Sequence, residues 1–213
     1  MTVYVPPPQV LPSHFIRDTQ SSSSTRGTVL LIGDSMIEWF RFRIARWCKA
    51  ARLKLYVVIW PSSNLIWWGK TDTLAAFIRK WRPDYVLIGL GSNELLVPHI
   101  EKRRPYAERI LSQAGEVPVV WIGPPNWTED KGINKMLLHL LGEGRFYPSH
   151  RLVLERLEDG AHPTPSAAYR WADSVALFLR DSALYPLPLT ATAPPPGKLA
   201  RPDEEILLKP HAP

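Results

Sequence analysis

"TVLLIGDSMIEW", residues 28–39, sets a short apolar run against Gly33, Asp34 and Ser35 and then passes into residues that suit a helix. A run of this length, ended by glycine, reads as a strand buried on both faces. The same strand character returns in "LYVVIW" (55–60), "YVLIGL" (85–90) and "VPVVWI" (117–122), and "RLVLE" (151–155) is the candidate for a fifth strand. Between and after these runs the period changes to that of a helix. Phe40, Ile44, Trp47 and Ala51 form one apolar stripe, and Leu74, Phe77, Ile78 and Trp81 a second. Ile133, Met136, Leu137, Leu140 and Leu141 form a third, and Ala168, Ala172, Val175 and Leu179 a fourth. Thr164 followed by Pro165 suits the start of the last helix as cap and first-turn residue. Strand-like and helical segments that alternate in this way predict an α/β fold with a central parallel sheet between helical layers.

The chain has 213 residues, which suits one domain with extensions. Residues 1–27 combine "PPPQVLP" with "SSSSTRG", and residues 183–213 contain "YPLPLTATAPPPGKLARP". Both compositions are poor in apolar surface to bury, so the reading is an arm at 1–27, a folded domain at 28–182 and a Pro-rich tail at 183–213. Hydrophobic residues make up 45% of the chain and charged ones 22%, and no apolar run reaches the roughly 20 residues of a membrane span. The opening "MTVYVPPPQV" has neither a basic leader nor an apolar signal core, so no export signal is expected there.

The formal net charge is +6, and the cations gather in "RFRIARWCKAARLK", residues 41–54. Their spacing predicts an amphipathic helix with a solvated basic face, and nucleic acid is not expected as a partner. A monomer is the default. Cys48 stands alone, which excludes an intrachain disulfide, and the six histidines lack ligand spacing, so neither a metal nor another cofactor is called for. "WWGKT" (67–71) superficially suggests a phosphate-binding loop. Asn64, however, stands where the first glycine is needed, and "LIWW" is too bulky to wrap a phosphate.

Ligands of an open parallel sheet bind beyond the carboxyl ends of the strands. The segments there are "GDSM", "PSSNLIWWG", "GSNE" and "GPPNW", and "EDGAHPT" (158–164) precedes the last helix. A serine hydroxyl becomes a useful nucleophile when a histidine takes its proton and an acid holds that histidine's tautomer. Ser35, His162 and Asp159 offer that set. Attack on an ester creates an oxyanion, for which the Ser35 N–H and the Asn93 side-chain amide are candidate donors.

On these blocks the chain resembles the SGNH hydrolases, or GDSL esterases and lipases, over residues 28–181. The resemblance implies a flavodoxin-like three-layer α/β/α sandwich with Ser35 as nucleophile, His162 as base, Asp159 as its orienting acid and Asn93 as an oxyanion donor. Met36 stands for the usual leucine and Glu94 for the usual aspartate. The second block has no glycine, so Ser62, Ser63 or Asn64 must fill its place, with Ser63 counted beside Ser35 and Asn93 in the candidate hole. The expected activity is hydrolysis of short O-acyl esters through an acyl-enzyme, without a cofactor. The alternatives are an O-acyltransferase using the same site and an inactive relative that binds a glycan or a protein. Tryptophans near the strand ends suit the flat faces of sugars. Trp60, Trp67 and Trp127, with Asn64, are therefore candidate contacts to an O-acetylated carbohydrate, either a small molecule or a polysaccharide.

Overall fold

The computed structural model describes residues 25–209. Of the arm expected at 1–27, residues 1–24 lie outside the described residues, as do 210–213 of the tail. The first quoted stretch forms β1 (Gly27–Gly33) and the start of α1 (Ile37–Ala50). There follow β2 (Leu53–Ile59), α2 (Leu65–Lys70), α3 (Thr73–Trp81), β3 (Tyr85–Gly89), α4 (Arg104–Gln113) and β4 (Val119–Ile122). The chain continues through α5 (Ile133–Leu141), β5 (Phe146–Tyr147), α6 (Pro165–Asp181) and β6 (Glu204–Leu207).

The strands form one parallel sheet in the order β5-β4-β3-β1-β2-β6. Successive side chains of a strand point to opposite faces, and β1 shows the result. Val29 and Leu31 join a core with Phe40, Ile44 and Trp47 of α1 and Trp171 and Val175 of α6. Leu30 and Ile32 join another with Leu65, Leu74, Ile110 and Met136 from α2 to α5. Helices on both faces make a three-layer α/β/α sandwich. The chain leaves β1 toward β2 on one side and returns to β3 on the other, so the order in which strands are added reverses between β1 and β3, where such sheets have their crevice. There, an added Cβ on Gly33 would sit 2.6 Å from the Gly89 carbonyl oxygen and one on Gly89 2.7 Å from Ile37, so α1 packs this close only against glycine.

The fifth strand is not 151–155. β5 is Phe146–Tyr147, paired with Trp121 and Ile122, and the turn Ser149–Arg151 then carries the chain off the sheet edge. Leu154 is buried, but Val153 is 96% exposed, so the alternation in "RLVLE" reflects one anchoring leucine without a neighbouring strand. The fourth strand begins at Val119 and not at 117, because Pro118 has no N–H to give the ladder; its carbonyl still accepts from the Val86 N–H at 2.9 Å.

The sheet also extends past residue 182. β6, from the Pro-rich tail, pairs with β2 and forms one edge of the sheet. The basic face of α1, expected to be solvated, holds this tail. Arg43 donates to the Pro194 carbonyl at 2.9 Å, Arg46 to those of Pro195 and Lys198, and Arg41 pairs with Glu205 at 2.8 Å. Asp203 accepts from the Leu55 N–H at 2.9 Å. Polar and charged contacts thus add to the few apolar anchors of this segment, Ala183 and Leu187, which join the core on the same face as α1. Among the described residues no helix is long and apolar enough to cross a membrane.

Candidate active site

Gly33 ends β1, and the next three residues turn into α1. The Asp34 carboxylate accepts the Met36 N–H at 2.9 Å, and the Asp34 N–H donates to the Gly89 carbonyl at 3.2 Å. Ser35 caps nothing in α1, whose preceding residue, Met36, makes no side-chain cap bond. Its Oγ lies 2.8 Å from His162 Nε2, across 127 residues of sequence. His162 Nδ1 lies 2.6 Å from Asp159 Oδ2. A carboxylate can only accept, so Nδ1 carries the proton and Nε2 is left as acceptor for the serine hydroxyl. Asp159 Oδ1 also accepts from the N–H groups of Ala161 and His162, at 2.8 and 2.9 Å. These amides, with the imidazole, hold its carboxyl down at about 2. The His162 and Asp159 side chains keep 35% and 48% of their surface exposed, so the histidine is open to a ligand.

A hairpin-like loop carries both residues. Leu157 donates to the His162 carbonyl at 2.8 Å, Thr164 to that of Glu155 at 2.9 Å, and Arg156 pairs with Pro163 in an isolated bridge. Thr164 then caps α6 through the Ala167 N–H. The Arg156 guanidinium, for which the sequence carries no signal, donates to the carbonyls of Ala161 and Asn126, both at 2.8 Å, and of Pro125 at 3.3 Å.

On the β3 side, Gly91 at φ 122° turns the chain into Ser92–Glu94, a backbone angle that side chains rarely tolerate. Asn93 Nδ2 donates to the Ser63 carbonyl at 2.7 Å, which uses one of its two amide protons and leaves the other for a ligand. Glu94 is buried and accepts from the Leu65 N–H at 2.7 Å. Two bonds therefore staple this turn to the loop after β2. Burial pushes the carboxyls of Glu94 and Asp34 up to about 7, the charge on Asp34 adding to the effect on Glu94. At this position the Glu94 side chain reaches the start of α2.

In the loop without a glycine, Ser62 adopts φ 59° and takes the left-handed position. The Ser63 N–H, the backbone donor expected for the hole, is committed to a turn onto the Trp60 carbonyl at 3.1 Å, and its hydroxyl accepts from Trp68 Nε1 at 2.9 Å. Asn64 Oδ1 caps α2 by accepting the Trp67 N–H at 3.1 Å. Trp60 is also a core residue. It is 5% exposed, packs against Trp67 and Trp68, and donates Nε1 to the Lys209 carbonyl at 2.9 Å. Trp67 is half-buried beside it. Trp127 differs from these, being 37% exposed with Nε1 3.3 Å from the Ser92 carbonyl, next to Asn93.

Gly69 of "WWGKT" lies inside α2, where an added Cβ would come within 2.7 Å of Tyr106, so this glycine serves helix packing. Among the described residues no cluster of three or more His, Cys, Asp or Glu could hold a metal ion. A concavity of about 630 Å³ lined by Lys49, Arg52, Lys54 and Arg201 lies at the opposite end of the sheet, around the start of β2. No protein-family model matches this chain, and no curated protein matches its sequence.

Proposed function

We propose that the protein is a serine esterase of the SGNH type that hydrolyses short O-acyl esters, with O-acetyl groups on a carbohydrate as the favoured substrate class. The single observation that carries this reading is the hydrogen-bonded series Ser35 Oγ, His162 Nε2, His162 Nδ1 and Asp159 Oδ2 beyond the carboxyl end of β1. As Ser35 Oγ forms its bond to the ester carbonyl carbon, its proton passes to His162 Nε2, and Asp159 stabilises the imidazolium. The electron pair displaced onto the carbonyl oxygen is met by the Ser35 N–H and the Asn93 amide. Collapse of the tetrahedral adduct breaks the bond to the alcohol oxygen, which takes the proton from His162 and departs. Water, deprotonated by His162, then attacks the acyl-Ser35 ester; the acid leaves, and the proton returns to the serine. The substrate class rests on Trp127, whose exposed ring beside Asn93 offers a flat apolar face with its N–H already satisfied.

The test is turnover of nitrophenyl esters of increasing acyl length by wild type and Ser35→Ala. The acetyl ester should be the best substrate, and Ser35→Ala should lower kcat by at least about four orders of magnitude while remaining folded. Undiminished turnover in folded Ser35→Ala overturns the reading.

A further inference from the structure

Resting on the esterase reading above, we propose that Arg156 is a positioning residue that sets His162 against Ser35 by tying the loop of the base to the loop after β4. The tip of the His162 loop is poorly held by packing, since Leu157, Glu158, Asp159 and Gly160 are all exposed, while Ala161 and Pro163 on either side of the histidine rest against the domain. The loop backbone closes on itself through Leu157 and Thr164, which shapes the loop but does not place it relative to β1 or β3. The Arg156 guanidinium adds a tie across to the loop after β4. One arm donates to the carbonyl of Ala161, the residue before the histidine, and the other reaches across to Pro125 and Asn126.

The far side of this strut is itself firm. Asn126 Oδ1 accepts from Asn134 at the start of α5 at 2.9 Å, and Asn134 is held in turn by Asp130 at 3.0 Å. The adjacent Trp127 reaches the Ser92 carbonyl. A continuous series of bonds thus runs from the base, through Arg156, to the turn that carries Asn93. Arginine suits the task because its planar fork carries five donors and stays charged, so it can serve three carbonyls in two loops at once. Lysine, with a single nitrogen, cannot span both loops in this way.

The test uses the full chain with Arg156→Ala and Arg156→Lys and two readouts. The first is steady-state hydrolysis of the acetyl nitrophenyl ester. Arg156→Ala should lower kcat by about 10–100-fold with KM within about threefold, because a misplaced base weakens the transition state more than substrate binding. Added guanidinium ion should restore part of the rate, and Arg156→Lys should fall between wild type and Ala. The second readout, independent of turnover, is the low-field proton resonance of His162 Nδ1–H, which should be sharp in wild type and lost to exchange in Arg156→Ala while the methyl spectrum is retained. If Arg156→Ala does not fold, Arg156→Lys carries both readouts. A sharp resonance retained in the variant overturns the inference whatever the rate does, as does a kcat within twofold of an active wild type. A wild type that shows the resonance and its loss on substitution, yet hydrolyses nothing, overturns the esterase and leaves the positioning role standing.

Discussion

Ser35, Asp159 and His162 make few demands on the core, and at the residue scale this separates chemistry from stability. In the proposed reaction His162 would transfer the proton, whereas Asp159 would hold the tautomer and stabilise the imidazolium, so His162→Ala should cost more in kcat than Asp159→Ala. Equal losses, measured on folded proteins, would argue against this division of roles. In the proposed reaction Asn93 would have two parts to play, because one amide proton holds the Ser63 carbonyl and the other would meet the oxyanion. Asn93→Ala should therefore lower kcat by about two to three orders of magnitude, with a smaller change in KM. These side chains were legible in the sequence as polar residues directly after strands or before the last helix. Ser62 was not singled out from its neighbours there, since three adjacent polar residues look alike until the turn shows which of them takes a positive φ.

The contact between α1 and the tail shows how charged and polar bonds can hold a segment that has few apolar anchors. Arg43 is nearly buried and forks onto Asp173 of α6 at 2.6 and 3.2 Å, while Trp47 Nε1 donates to the same carboxylate at 2.7 Å. Removing a buried partner leaves the other uncompensated, which costs roughly 3–5 kcal/mol when both are fully dry. Asp173 retains 30% exposure, so Arg43→Met should cost less, about 2–3 kcal/mol, as a lower denaturant midpoint with the slope unchanged. Activity per folded molecule should stay at the wild-type level, because Arg43 meets α6 and the tail and not the Ser35 turn. A midpoint equal to that of wild type would show that the clasp contributes nothing to stability.

Across the whole molecule, the buried carboxyls at the crevice set the response to pH. In the unfolded chain Asp34 and Glu94 lose their protons near pH 4, whereas in the folded protein burial keeps them protonated to about 7. Between these limits the folded state binds more protons than the unfolded one, so stability should fall as pH rises from about 4 to about 7. Asp159 acts in the opposite sense in a separate window, its contribution being lost as pH falls from about 4 to about 2. The Tm at pH 8 should therefore lie at least about 3 °C below that at pH 5.5, the equivalent of roughly 1 kcal/mol for a chain of this size. Glu94→Gln should narrow the gap, and calorimetry of both proteins checks it. A Tm that rises over this range would show that the two carboxyls ionise freely in the fold.

The sequence by itself determined the alternation of strand and helix and, through it, the layered sheet. Strands such as β1 and β3 are buried on both faces, and continuous apolar runs announce that without any partner. It also determined which polar residues follow the strands. The tertiary structure alone decided the two edges of the sheet, because β5 has only two residues and β6 reads as "EEIL", so each is defined by the neighbour that it pairs with. It decided as well that the basic face of α1 holds a Pro-rich segment, that Trp60 is a core residue, and that Arg156 joins two loops. In each case the partners are backbone carbonyls or side chains distant in sequence, and a carbonyl is the same at every residue, so no local pattern of side chains could point to them.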